Sequence, residues 1–428
     1  MRILFTTCYL DHGYYDYFSL YCPGRVRLKF HLRHSAGLRF IKANLPEIEI
    51  LEYPTYRQFK EKLSQGWDVV GFSFYTHETN KILRMAETAR AAGTSELWAG
   101  NYGVFNPGMD EVFDRVFTGY AEHDIAEALG KKIERLKHPP IVHTAGLHPL
   151  PVHFQKAGLL QTTRGCVNKC SFCQGPLFSK KPQALPLESI EEILAYYKAR
   201  RIDWVVITDE NFGINREHSR RVVELFAKYG LFWSCESDIG IALKNLDVWN
   251  TTRFMGLGVG VESIHANARQ ILQKKHSNEQ LLELKEEIDR NGNYYFGFYM
   301  LGHEKDTFQG VLDALETVYG YGFAFTQATV MTPFPQTPLW DEIESRYGFN
   351  TNNWDYFDTR HLVWNHPTLS PAELEKLFAY AARRLNNTFR FLQWMGRIYR
   401  IYLRHLGTHR KSFSFISSFP AKAYMYPD

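Results

Sequence analysis

Three cysteines on one short loop carry the most specific chemistry in this sequence. Residues 162–174 read TTRGCVNKCSFCQ, which sets Cys166, Cys170 and Cys173 at C-x3-C-x2-C spacing, with the aromatic Phe172 just before the last. Thiolate is the ligand that iron–sulfur clusters and zinc select, and three on so short a loop can converge on one soft centre. A four-iron cluster held by three cysteines keeps one iron without a protein ligand, open to chemistry. A structural zinc ion needs four ligands. No fourth Cys or His stands in a partner pair, and Cys8, Cys22 and Cys235 are scattered. Ligand count favours the cluster, and the loop residues alone leave the zinc reading open.

A loop of this kind needs a rigid scaffold, and the chain supplies one. From Leu159 onward, strand patterns at Leu159–Thr163, Trp204–Thr208, Leu231–Cys235, Met255–Val261, Tyr294–Leu301 and Phe325–Met331 alternate with helical stretches. Those helices are expected near Leu187–Arg200, Arg216–Tyr229, Ile239–Asn250, Asn278–Arg290 and Asp306–Tyr319. Six strands in βα alternation predict an open, partial (β/α)6 barrel, with its site at the C-terminal strand ends. The cysteine loop follows the first strand as that rule requires. Later strand ends place Asp209, Glu210, Glu236, Glu262 and Ser263 in the same position. Such acids and hydroxyls can hold the ammonium and ribose hydroxyls of a nucleoside cofactor. Any one of them can instead be a helix cap.

Ahead of the barrel, residues 1–136 alternate strands (Arg2–Thr7, Glu47–Tyr53, Asp68–Tyr75, Glu96–Gly100, Arg115–Thr118) with helices near Lys29–Asn44, Tyr56–Ser64, Glu78–Ala92 and Glu122–Leu136. That pattern predicts an α/β, doubly wound, Rossmann-like parallel sheet. Ligands in such sheets lie beyond the strand carboxyl ends, here SFYTH, AGNYG and TGYAE. Residues 137–157, with four prolines and four histidines, read as a linker whose histidines are solvated. The barrel is expected over 158–345 and a mainly helical, aromatic and basic region over 346–428.

Composition bounds the class. Hydrophobic content of 45% and charge of 22% are ordinary for a globular protein. Six cysteines in 428 residues are too few for a disulfide scaffold and suit a reducing cytoplasm. No signal peptide and no membrane span is read. The net charge of +4 is unevenly spread: from Lys376 onward ten Lys and Arg face a single acid, Asp428. Ser370 and Pro371 start a helix expected to run to about Leu406. Arg383, Arg390, Arg397 and Arg404 recur every seven residues on it, with Phe389, Leu392, Tyr399 and Tyr402 available for another face. The arginines read as a solvated face, or as a peripheral contact for anionic lipid or a phosphorylated substrate. Nucleic acid is not indicated, because no binding module accompanies the charge.

These motifs together resemble the radical S-adenosylmethionine (radical SAM) enzymes of the branch with an N-terminal cobalamin (B12)-binding-like domain. The likeness covers most of residues 1–345. It includes the cysteine loop, the Asp209–Phe212 turn, Gly260–Ser263 with Lys274 and Lys275 beyond, Phe298–Thr307, and the T-P-x-P-x-T-P-L segment Thr332–Leu339, where Gln336 stands in place of the usual glycine. The glycines after the fourth strand and the G-x-x-E turn Gly119–Glu122 resemble the B12-binding domain. The D-x-H-x-x-G cobalt signature is missing, since Asp11, His12 and Gly13 are adjacent. The resemblance implies a [4Fe–4S] cluster on Cys166, Cys170 and Cys173. It implies SAM near Phe172, Asp209, Glu210, Glu236, Glu262 and Ser263, and cobalamin near Ser73, Tyr75, Gly100, Asn101, Gly119, Tyr120 and Glu122.

The activity implied is reductive cleavage of SAM to a 5′-deoxyadenosyl radical, then cobalamin-dependent C-methylation of an unactivated carbon. Radical cyclisation, rearrangement or carbon–carbon coupling is the alternative, and a zinc-stabilised binding protein is the reading from another class. The implied partners are a small-molecule or lipid substrate and an electron donor such as flavodoxin or ferredoxin. No catalytic acid or base is assigned. Cys235 reads as a small buried apolar residue.

Overall fold

The computed structural model describes residues 1–10, 15–21, 27–32, 34–148, 152–179 and 181–405. The strands in chain order are β1 (Ile3–Thr7), β2 (Tyr15–Tyr21), β3 (Arg27–Leu32), β4 (Glu49–Leu51), β5 (Val69–Ser73), β6 (Glu96–Gly100), β7 (Arg115–Phe117), β8 (Val142–His148), β9 (Val152–Leu160), β10 (Thr163–Arg164), β11 (Gln183–Ala184), β12 (Trp204–Ile207), β13 (Phe232–Glu236), β14 (Phe254–Glu262), β15 (Tyr294–Leu301) and β16 (Phe325–Val330).

Five of them form a parallel sheet in the order β4-β1-β5-β6-β7. Successive residues feed opposite cores. Ile3, Phe5 and Val69 pack with Leu38 and Ile125 on one face, while Leu4, Val70 and Phe72 pack with Phe59 and Ile82 on the other. A parallel sheet covered on both faces is why these strands read as unbroken apolar runs. The doubly wound expectation holds.

The second sheet has nine strands, in the order β16-β15-β14-β13-β12-β9-β8-β3-β2. The six from β9 to β16 are parallel, and helices pack against them as the partial barrel predicts. Local signals set the helix limits. Helix Arg216–Tyr229 starts where the Asn215 side chain accepts the His218 N–H, and it stops at Gly230 with φ +60°. The stretch Ile239–Asn250 divides into two short helices, Ile239–Leu243 and Leu246–Trp249.

Three antiparallel strands extend the half-barrel, and they depart from the sequence expectation. The β2–β3 hairpin lies within the first 136 residues yet pairs with β8 of the second sheet. The helix expected from Lys29 therefore begins at Ala36, because 27–32 is recruited as strand. The stretch read as a linker supplies β8 and part of β9 instead. His138 is buried there, not solvated. Its Nε2 accepts the Gln161 N–H (2.9 Å), its Nδ1 donates to Pro139 O (2.7 Å), and burial pulls its pKa down to about 4. Asp11, His12 and Gly13 lie outside the described residues.

The C-terminal helix is broken at Asn386 into Pro371–Leu385 and Thr388–His405. Asn386 is buried against the edge strand β16. Its Oδ1 accepts the Thr326 N–H (2.9 Å) and its Nδ2 donates to Thr326 O (2.8 Å), so one amide side chain stands in for a strand partner. Trp394, Ile398 and Ile401 then bury against Trp204, Phe232, Met255 and Tyr294.

This seating inverts most of the expected faces of that helix. Arg390 donates to Tyr319 O (2.5 Å), Arg397 to Asn293 O (2.7 Å) and Arg404 to Asn291 O. Those carbonyls lie at or just beyond the C-terminal ends of helices Asn278–Asn291 and Phe308–Gly320, which favour cations. Phe389, Leu392 and Tyr399 point outward instead, at 57%, 59% and 56% exposure, while Tyr402 packs on Phe232 as expected of it.

Candidate active site

The cysteine loop leaves β10 through Gly165, whose φ of +84° favours glycine. Other segments clamp it. Ser171 N–H donates to Leu272 O (3.2 Å), Gln174 Nε2 to Pro335 O (3.0 Å), and Leu339 N–H to Ser171 O (2.9 Å). Gln336 adopts φ +64°, which explains why glycine is usual at that position. Its amide donates to Phe105 O of the first domain (3.0 Å).

Backbone and side-chain amides already point at two of the sulfurs. Asn168 N–H and Asn211 Nδ2 approach Cys166 Sγ at 3.4 and 3.5 Å, and Gly175 N–H approaches Cys173 Sγ at 3.3 Å. Hydrogen bonds to sulfur tune the potential of a bound cluster. Burial pushes the Cys170 thiol up to about 11, and burial moves Cys173 the same way. Both stay protonated at neutral pH until a metal displaces the proton. Among the described residues, no three His, Cys, Asp or Glu side chains form a group suited to one metal ion. Three cysteine thiols on one loop are the donor set that a multi-iron group takes while keeping one iron open.

Beside Cys170 lies a largely buried ion pair, Lys274 Nζ to Glu262 Oε1 at 3.2 Å. Burial alone would lower the lysine pKa, but the charge of Glu262, joined by Cys170 once that thiol ionises, outweighs it and holds it at about 12. Gly256, Gly258 and Gly260 alternate along β14 before Glu262, and the reason is space. A Cβ on Gly256 would strike the Tyr294 ring at 2.3 Å. One on Gly258 would lie 2.9 Å from Glu236 Cγ, and one on Gly260 would lie 2.7 Å from Lys274 Nζ. Among the described residues the Glu236 carboxyl has no hydrogen-bond or ion-pair partner, and it lies exposed at the C-terminal end of β13.

The remaining acids at the strand ends are committed to protein. Asp209 accepts from Thr162 N–H (2.6 Å) and Thr162 Oγ (2.5 Å), and burial pushes its carboxyl up to about 7. Glu210 accepts from Gly165 N–H (3.0 Å) and from the Tyr120 hydroxyl. Ser263 is fully buried and its Oγ accepts the His265 N–H. Cys235 is buried in the core, as expected.

A cavity of about 1140 Å³ opens between the strand ends of the first sheet and the half-barrel. All seven residues expected to contact cobalamin line it: Ser73, Tyr75, Gly100, Asn101, Gly119, Tyr120 and Glu122. Phe172, Cys173 and Glu262 line the same space. Its volume exceeds the usual range for a single small ligand. On its wall, a Cβ on Gly37 would meet nothing within 4 Å, and one on Gly100 only Phe117 O at 3.5 Å. Small residues there leave room for a large cofactor, and Ser73, Tyr75 and Asn101 offer polar partners. Glu122 is the exception. Its carboxylate is held by Arg164 through Nη1 (2.9 Å) and Nη2 (2.8 Å), both side chains almost fully buried.

The sequence reading did not mark Asn211 or Arg164 as functional, nor the wall built by Phe357, Thr359, Arg360 and Phe378 from the C-terminal region. Asn211 sits within the Asp209–Phe212 turn and could have been found there. Nothing in the spacing of 346–428 marks a cavity wall.

Residues 160–318 match the family model described as the radical SAM superfamily. The half-barrel with its three-cysteine loop is a radical SAM domain, which makes SAM and a [4Fe–4S] cluster the cofactors of this enzyme. Bacteriochlorophyllide d C-8(2)-methyltransferase of Chlorobaculum tepidum is 23% identical over 406 residues, 86% of each chain. The C-12(1)-methyltransferase of the same organism is 20% identical over 75% of each. The radical SAM methyltransferase TsrM of Kitasatospora setae superposes with a TM-score of 0.64 at 13% identity, over 95% of this chain and all of that one. OxsB, a cobalamin-dependent SAM radical enzyme, superposes at 0.61 and 12% identity, over 96% of this chain and 75% of that one. These two carry the fold: a doubly wound domain of the cobalamin-binding type joined to a radical SAM half-barrel.

Proposed function

We propose that this enzyme methylates an unactivated carbon of a large, mainly apolar small molecule, with cobalamin held in the first domain. The observation that carries the reading is the single cavity walled by both the first-sheet strand ends and the cysteine loop. When bound, a [4Fe–4S] cluster, SAM and cobalamin together supply a hydrogen-abstracting radical and a methyl group, the hard part of the chemistry.

The chain's own residues bind and orient. Cys166, Cys170 and Cys173 hold the cluster. The Glu262–Lys274 pair offers one anion and one cation beside Cys170, the complement of an amino acid's ammonium and carboxylate. The Glu236 carboxylate, without a side-chain partner among the described residues, is free to accept from hydroxyls. Ser73, Tyr75, Gly100, Asn101 and Gly119 would face cobalamin. Phe298, Met300, Phe325, Phe357 and Phe378 give the cavity apolar surface for such a substrate. The relatives named for bacteriochlorophyllide methylation favour a conjugated pigment precursor as substrate. We read the reductant as a flavodoxin or ferredoxin.

Anaerobic reconstitution with iron, sulfide and hydroxocobalamin tests this. Near four irons and one cobalt per chain are expected, with S-adenosylhomocysteine formed only when cobalt is bound. Four irons without cobalt would refute the methyl-transfer reading and leave radical cyclisation or rearrangement.

Among the described residues no helix is long and apolar enough to cross a membrane. Peripheral contact, in our reading, rests on outward Phe389, Leu392, Tyr399 and Leu403 flanked by exposed Arg383 and Arg400. Co-sedimentation with phosphatidylglycerol vesicles but not phosphatidylcholine vesicles is expected. Equal behaviour with both would overturn it.

A further inference from the structure

The first-domain turn Gly119–Glu122 packs directly against the cluster loop. Glu122 forms a bidentate, buried ion pair with Arg164, two residues before the first cluster cysteine. The Arg164 guanidinium is sandwiched between Tyr120 and Phe40, 4.3 and 4.6 Å from their ring centres. Its Nε donates to Gln161 Oε1 (3.0 Å), and Gln161 Nε2 donates to the Tyr120 hydroxyl (3.1 Å). That hydroxyl donates to Glu210, whose other oxygen accepts the Gly165 N–H. Gly119 completes the seam, since a Cβ there would lie 2.3 Å from Phe178 O, at the far end of the loop. First-domain residues thus fix the backbone on both sides of the three cysteines.

We propose that Tyr120 and Glu122 are positioning residues for the cluster loop, so that the SAM-cleaving site is assembled from both domains and reads the placement of the first. A buried ion pair gains little net stability over apolar packing, but removing one partner leaves the other charged and unsatisfied. Its value here is geometric: Arg164 has one seat, and that seat belongs to the other domain. The inference rests on the radical SAM assignment and not on methyl transfer.

Glu122→Gln and Tyr120→Phe in the full chain test it, with cluster reconstituted and cobalamin omitted. Hydrogen exchange at 165–170 is expected to quicken about tenfold while helix Arg216–Tyr229 keeps its protection. The change that SAM makes in the electron paramagnetic resonance spectrum of the reduced cluster is expected to weaken. Unchanged exchange and spectra in folded variants overturn the proposal. So does a fall in cobalamin affinity with loop exchange unaltered, which would return the turn to cofactor binding. Where Glu122→Gln does not fold, Tyr120→Phe decides alone, because it loses one hydroxyl and keeps its ring on Arg164.

Discussion

Replacing Asp209 with asparagine is expected to flatten part of the pH dependence of stability. The carboxyl is 1% exposed, and burial raises its pKa from an ordinary 3.8 to about 7. The folded value lies above the unfolded one, so between those values the folded state keeps a proton that the unfolded state has released. The associated stability is complete below the unfolded value and is lost as pH rises through 7. Roughly three units at about 1.4 kcal/mol each give about 4 kcal/mol, of which about 3 falls between pH 5 and pH 8. Spread over 428 residues at about 2 cal/mol/K each, that is roughly 3 °C in Tm. Asparagine keeps an acceptor for the Thr162 N–H and turns its other atom into a donor toward Thr162 Oγ. Thermal unfolding of cofactor-free protein by circular dichroism is the assay. The two proteins are expected to differ by about 1 kcal/mol or less at pH 5, with the variant melting higher at pH 8. Parallel pH profiles, or a variant less stable at pH 8, would refute the reasoning.

Two further outcomes follow from single groups. Asn386→Ala strips the edge of β16 of both hydrogen bonds at Thr326, leaving a buried N–H and C=O unsatisfied; a loss of about 2–4 kcal/mol is expected from denaturant titration, and unchanged stability would refute it. Gly37→Ala places a methyl group where nothing stands within 4 Å, on the cavity wall and inside helix Ala36–Asn44. It is expected to stabilise the protein by about 0.5–1 kcal/mol while weakening cobalamin uptake in an absorbance titration, and unchanged uptake would show that the cofactor does not reach that wall.

The scaffold was largely legible because it is repetitive. Strands buried on both faces must be apolar runs, and β6 and β15 fall at the residues their runs predict. The β2–β3 hairpin was not legible, because its partner β8 lies more than a hundred residues away and only that pairing makes 27–32 a strand. The site divides the same way. Spacing marks Cys166, Cys170 and Cys173 and places acids at strand ends. What each acid does depends on a neighbour that spacing cannot name: Thr162 for Asp209, Gly165 for Glu210, Arg164 for Glu122. A seven-residue repeat showed that Arg390, Arg397 and Arg404 share a face. It could not show that the face turns inward, since helix-end carbonyls on other elements decide that.

The path of the hairpin also decides how the protein can be cut. β1 enters the first sheet, the next two strands cross to the second, and β4 returns to the first. The two sheets are threaded by one N-terminal segment, so no single scission separates them. A fragment beginning after residue 136 would bare the edge of β8, a row of unpaired amides and carbonyls that invites strand pairing between copies. A fragment ending there would carry two strands with no sheet to join. The halves of this enzyme are therefore expected to be made, folded and inherited together.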